Sequence, residues 1–101
     1  MRRGRLQIAV SSAGAAPTIA RDIRLGLEEA YPAYWADYID LLGDVRMLVK
    51  QRVEGPASAR RPLYEAVVAS DLLERIAAGE RPEAEDVYAA VVMPLLEGGA
   101  R

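Results

Sequence analysis

Ala33-Tyr34-Trp35-Ala36-Asp37-Tyr38-Ile39-Asp40-Leu41-Leu42-Gly43-Asp44-Val45-Arg46-Met47-Leu48-Val49-Lys50-Gln51-Arg52-Val53 sets apolar side chains at Trp35, Tyr38, Ile39, Leu42, Val45 and Val49, with Leu41 and Leu48 beside them. Recurrence at three- and four-residue intervals is the period of one helix face. With a rise of 1.5 Å per residue such a helix is about 30 Å long. It is the expected spine of the domain.

Working toward the N-terminus, Pro32 ends or re-aims the chain, and before it Ile19, Ile23, Leu27 and Ala30 recur opposite Arg21, Asp22, Arg24, Glu28 and Glu29. Pro17 suits the first position of that amphipathic helix, where a missing N–H costs nothing. Ahead of it, Leu6 to Ser12 alternates as one short strand and stops in Ser11-Ser12-Ala13-Gly14. A lone strand cannot satisfy its own backbone groups, so it is expected to pair with another chain or with a sheet in another part of the protein. Toward the C-terminus, Glu54-Gly55-Pro56 breaks the chain, Pro62 is read as opening a third helix, and Asp71 with Glu74, or else Ser70, as capping a fourth. Gly79 and Pro82 separate that helix from a last one, whose buried side is expected to hold Val87, Tyr88, Val91, Val92 and Leu95. The tail Gly98-Gly99-Ala100-Arg101 is expected to fray. The fold class is therefore α+β and mainly helical: one N-terminal strand followed by four to five helices in a single domain over residues 1–101.

Composition narrows the chemistry. The chain has 101 residues, 51% hydrophobic and 28% charged, with no Cys and no His. That removes zinc and iron–sulfur sites ligated by those residues, thiol nucleophiles and every Ser–His or Cys–His pair, leaving carboxylates alone for metal or acid–base work. No metal site is expected. A net charge of -2 gives no general field for nucleic acid or anionic membrane, and neither is an expected partner. Leu6-Gln7-Ile8-Ala9-Val10 is too short and too interrupted for a secretion signal, no run is long enough for a membrane helix, and a cytoplasmic location is the expectation.

The segment richest in chemical possibility is Val10-Ser11-Ser12-Ala13-Gly14-Ala15-Ala16-Pro17-Thr18-Ile19-Ala20-Arg21. Small side chains let a ligand approach the backbone, and the first turn of a helix offers N–H groups to an anion. Ala16 has no side-chain oxygen with which to cap that turn, and Arg21 can add a bidentate cation for carboxylate or phosphate. An ordinary tight turn with an exposed arginine fits the same residues. Arg46 and Lys50 share one side of the long helix, either as a solvated face or as a contact for a polyanion or a partner chain. Tyr31, Tyr34, Trp35 and Tyr38 cluster at its start, as packing or interface residues.

The run Arg3-Gly4-Arg5-Leu6-Gln7-Ile8-Ala9-Val10-Ser11-Ser12-Ala13-Gly14-Ala15-Ala16-Pro17-Thr18-Ile19-Ala20-Arg21 resembles the start of the second part of the precorrin-2 dehydrogenase and sirohydrochlorin ferrochelatase (siroheme synthase) family, whose pattern is approximately R-G-x-L-x-I-A-I-S-T-G-G-x-S-P-x-L-A-R. The resemblance continues more weakly through Val45-Arg46, Val49-Lys50, Arg60-Arg61 and Asp71-Leu72-Leu73, to about Gly79. It implies a parent enzyme that oxidises precorrin-2 to sirohydrochlorin with NAD held by an N-terminal dinucleotide-binding domain, and that in some members also inserts ferrous iron. For this chain it implies residues 1–30 as a strand-turn-helix dimerisation and substrate segment, residues 31–101 as the helical part, and a homodimer across which the strand pairs. Ser11, Ser12, Ala13, Gly14 and Ala15, with Arg21, would then face the carboxylates of the tetrapyrrole. The family's Gly-Gly is Ala13-Gly14 here and its Ser before Pro is Ala16, so any role of that hydroxyl is lost. The dinucleotide-binding domain and its catalytic Asp lie outside the sequence, so the chain alone is expected to bind no NAD and to have no catalytic residue. The competing expectation is a stand-alone helical interaction or oligomerisation module; an anion-binding enzyme built on the Ser11 to Pro17 turn would lack a base.

Overall fold

A computed structural model describes residues 1–98 of the chain. Two short strands, β1 (Arg2–Arg3) and β2 (Leu6–Gln7), precede six helical segments: α1 (Pro17–Ala30), α2 (Trp35–Arg52), α3 (Ala57–Ala69), α4 (Leu72–Ala77), α5 (Ala84–Val87) and, after a π-helical turn at Tyr88–Val92, α6 (Met93–Gly98). The mainly helical α+β class holds.

The strand differs from expectation in extent and in partner. Leu6–Gln7 pairs antiparallel with Arg2–Arg3, in register Arg2 to Gln7 and Arg3 to Leu6, while Ile8 to Ala16 runs without strand structure. Gly4, at φ +60°, takes the first central position of the two-residue turn, where a positive φ matches the twist of a hairpin. A Cβ there would also stand 3.1 Å from the Ala36 Cβ, so the glycine lets the hairpin close onto α2. The edge missing from the sequence reading was the basic stretch ahead of Leu6, whose charge does not announce a strand.

The core sits between α2, α3, α4 and the last helix. Tyr38, Val45 and Val49 from α2 meet Leu63 and Val67 from α3, Leu72 and Ile76 from α4, and Val87, Tyr88 and Val92 from the C-terminal segments. Burial pushes the Tyr38 hydroxyl pKa above its usual value, and the charge of Glu74 adds to the shift. Tyr31 and Trp35 meet edge to face at 4.9 Å, as do Trp35 and Tyr38 at 5.2 Å, so the aromatic cluster packs the start of α2.

Two features depart from expectation, the start of α3 and the course of the last helix, and the cap of α4 falls to the second of the two residues expected for it. Helix α3 begins at Ala57, with Pro62 inside it. The proline removes one hydrogen bond near the exposed first turns, and burial of Leu63 and Val67 holds the helix despite the loss. Ser70 caps α4: its Oγ accepts from the Leu72 N–H at 3.3 Å and donates to the Val67 carbonyl at 2.6 Å, whereas the Asp71 side chain makes no cap bond. In the last helix the Met93 N–H reaches back to the Tyr88 carbonyl, five residues away. That widened turn lies just before Pro94, where a regular helix would drive the proline ring into the backbone. The shift leaves Leu95 42% exposed, contrary to the expected burial. The fraying expected of the tail concerns residues 99–101, which lie outside the described residues; Gly98 closes α6.

Helix α1 stands apart from this core. It has no buried residue and makes at most marginal contact with the other elements. The extents are 55 × 32 × 20 Å and the radius of gyration 17.1 Å. A compact chain of this length has a radius of about 13 Å.

Candidate functional site

Arg3 joins the hairpin to α1. Its Nε donates to the Tyr31 carbonyl at 2.7 Å and its Nη2 to the Glu28 carbonyl at 3.2 Å, placing a cation on the last carbonyls of the helix. Met1 and Ile8 extend the hairpin through the terminal ammonium, which donates to the Ile8 carbonyl at 2.8 Å, and the Ile8 N–H, which donates to the Met1 carbonyl at 3.0 Å. Both ends of the Ile8 to Ala16 loop are thereby fixed, one by the hairpin and the other by α1.

Within the loop, Ala13 (φ +55°) and Gly14 (φ +81°) occupy the two centres of a turn closed by the Ala15 N–H on the Ser12 carbonyl at 3.1 Å. Positive φ at both centres is the type I′ pattern, which glycine adopts freely and alanine does not. Ser11 Oγ accepts from the Ala13 N–H at 3.1 Å, and Ser12 Oγ from the Ala16 N–H at 3.0 Å. The two hydroxyls hold the turn, and Ser12 fixes the residue ahead of the helix without capping the helix itself. No side chain caps α1, whose first turn contains no acid. The N–H groups of Thr18 and Ile19 therefore remain available at the positive end of the helix dipole.

Ser11, Ala13, Gly14, Ala15 and Arg21 are exposed, and Ser12 is half-buried. The loop and the start of α1 form an open edge with uncapped N–H groups. The nearest concavity, of about 620 Å³, lies between the hairpin, residues 8–10 and α1, and its basic side chains are Arg2 and Arg24, with Gln7, Ile8 and Val10 on its walls. Arg21 does not line it. Arg24 was legible only as a polar-face residue; its position three after Arg21 was the one signal that both lie on the same face of α1.

A second depression, of about 330 Å³, opens between α2 and α3 over Ile39, Leu42, Tyr64, Val67 and Val68, with Arg5 and Arg46 at its rim. Arg5 is tied to Asp40 at 3.0 Å and roofs Gly43, where any Cβ would strike its guanidinium. The Arg46 guanidinium lies 4.7 Å from the centre of the Tyr64 ring, a cation–π contact. The buried Tyr64 Oη has no hydrogen-bond partner. On the far side of the bundle Arg52 chelates Glu85, with Nη1 to Oε2 at 2.8 Å, and lies 5.0 Å over Tyr88; the Arg52 hydrogen bonds hold the Glu85 carboxyl pKa below its usual value. Arg81 meets Asp37 at 3.0 Å and donates to the Ile76 carbonyl at 2.9 Å, locking α4 to the start of α2.

The hairpin-and-helix arm and the helical bundle each match a family model: "Sirohaem biosynthesis protein central" over residues 3–30, and "Sirohaem synthase dimerisation region" over residues 35–91. The chain thus belongs to the class of sirohaem-biosynthesis proteins. In particular, it is a member of the siroheme synthase family. Its relatives include the siroheme synthase of Nitrosococcus oceani, 39% identical over 92 residues, which is 91% of this chain and 19% of that protein. That of Pseudomonas putida is 37% identical over 99 residues, 96% of this chain and 21% of the relative. That of Xylella fastidiosa is 34% identical over 100 residues, 97% and 21% respectively. The chain therefore spans about a fifth of the length of the curated relatives it matches. No solved structure matches it. No described helix is long and apolar enough to cross a membrane.

Proposed function

We propose that this chain is the dimerisation and substrate-holding portion of a siroheme synthase, with residues 1–30 as the arm that meets the partner and substrate and the remainder as the helical support. One observation carries this reading. An amphipathic helix, α1, has no buried residue, and its Ile19 and Ile23 are 61% and 50% exposed, in a chain whose helical bundle matches a dimerisation region. Apolar side chains repeated along an exposed helix face are the mark of a surface that is covered in an assembly.

In the parent protein the reaction is the NAD-dependent oxidation of precorrin-2 to sirohydrochlorin, with ferrous iron insertion as a second activity in some members. This chain has no Gly-x-Gly-x-x-Gly turn, so none of its residues is assigned to NAD, which belongs to the dinucleotide-binding part of such a protein. The contribution here is carboxylate grip. Ser11, Ser12, Ala13, Gly14 and Ala15 present an open backbone, the uncapped start of α1 presents N–H donors, and Arg21 stands one turn inside. A tetrapyrrole with several carboxylates is a ligand whose charge suits that edge.

Titrating the 101-residue chain with sirohydrochlorin and following its absorbance tests the grip. Binding is expected, and Arg21→Ala should weaken it about tenfold, the loss of one charge-assisted hydrogen-bonding group. Equal affinity in the two proteins removes Arg21 from the site.

A further inference from the structure

We infer that the apolar depression between α2 and α3 is the seat of the partner copy's α1, with Ile19 and Ile23 entering it and Asp22 meeting Arg46. The inference rests on the dimer proposed above and adds which surface meets which. The depression is walled by Ile39, Leu42, Val67 and Val68, and Val68 is 59% exposed. It has room for a pair of branched side chains, at about 330 Å³.

The α1 stripe supplies the complement. Ile19 and Ile23 lie one turn apart, about 6 Å along the axis, and Asp22, three residues after Ile19, borders the stripe where the apolar face gives way to the polar one. Gly26 follows on that face with nothing within 4 Å of the place its Cβ would take, which lets the helix lie close to another backbone.

Charge selects the register. Among the described residues Arg46 has no carboxylate partner and rests only on the Tyr64 ring, and Asp22 has no cation partner. Arg5, the other cation at the rim, is already engaged by Asp40. A helix laying two isoleucines in the depression with Asp22 toward its rim brings the two unpaired charges together. Two-fold symmetry makes the contact twice per dimer, the self-complementary arrangement that closes without growing into a fibre.

The chain has no cysteine, so single cysteines report this contact directly. The Ile23→Cys and Val68→Cys proteins, both altered at exposed positions, are mixed, allowed to exchange subunits and oxidised. A disulfide-linked dimer is expected in the mixture and not in either protein alone. Separately, Asp22→Arg and Arg46→Asp are each expected to weaken the dimer at least tenfold in sedimentation equilibrium, and the double variant to recover most of that loss. Cross-linking of Ile23→Cys with itself would place α1 against α1 and overturn the seat. A dimer that gives no mixed product, and ignores both charge reversals, would overturn it while leaving the dimer itself standing. A monomeric unaltered chain would instead remove the dimer on which the seat depends.

Discussion

Ala13 holds a φ of +55° beside Gly14 at +81°. An L-residue in the left-handed region is strained by about 1 kcal/mol or more, because its Cβ crowds the following carbonyl oxygen. The Ser12 carbonyl and both serine hydroxyls hold the turn against that strain. Ala13→Gly is therefore expected to stabilise the chain by about 0.5 kcal/mol, the relief of strain exceeding the added freedom of the unfolded backbone. Urea unfolding of the two proteins checks the sign. At this scale the sequence showed which residues make the turn and that Ala16 cannot cap α1. It did not show that Ser11 and Ser12 spend their oxygens on backbone N–H groups, because that depends on the turn's dihedrals and not on its composition. Nor did it show Arg3 on the end of α1, a contact between residues 28 apart in the chain.

At the scale of the element, α2 was legible throughout because its apolar period is sustained over many turns and every neighbour packs on the same stripe. Val49 is fully buried in its last turn. Val49→Ala removes two methyl groups and leaves a gap that rigid helices fill poorly, so a loss of about 2 kcal/mol is expected in thermal or urea unfolding. The less legible helices are those in which prolines mislead. Pro62 reads as a start and lies inside α3, where burial of Leu63 and Val67 outweighs the missing donor, and a π turn accommodates Pro94 in the last helix. The start of the last helix is joined to the end of α2 by Arg52 and Glu85. Hydrogen bonding to Arg52 lowers the Glu85 pKa in the fold, so the pair supports the native state above the ordinary glutamate range. That support disappears as pH falls from the ordinary range through the lowered value. Glu85→Gln should accordingly flatten the acid limb of the melting temperature against pH and leave the alkaline limb unchanged. An unaltered acid limb would show that water screens this exposed pair completely.

At the scale of the whole molecule, shape is what the sequence could not supply. The apolar spacing of Ile19, Ile23 and Leu27 predicted an amphipathic helix correctly, but period alone does not say against what a face is buried. In the fold, α1 extends from a molecule 55 Å long with its isoleucines uncovered. Ordering an exposed apolar helix on its own is unfavourable, and a helix of 14 residues is marginal in water without a partner surface. The proposed dimer would therefore also account for the order of the arm, and with it for the open edge between the hairpin and α1. The molar mass in solution tests this most directly, by size-exclusion chromatography with light scattering of the 101-residue chain at micromolar concentration. The account predicts twice the 11.0 kDa of one chain. A single-chain mass that persists to high micromolar concentration would contradict it.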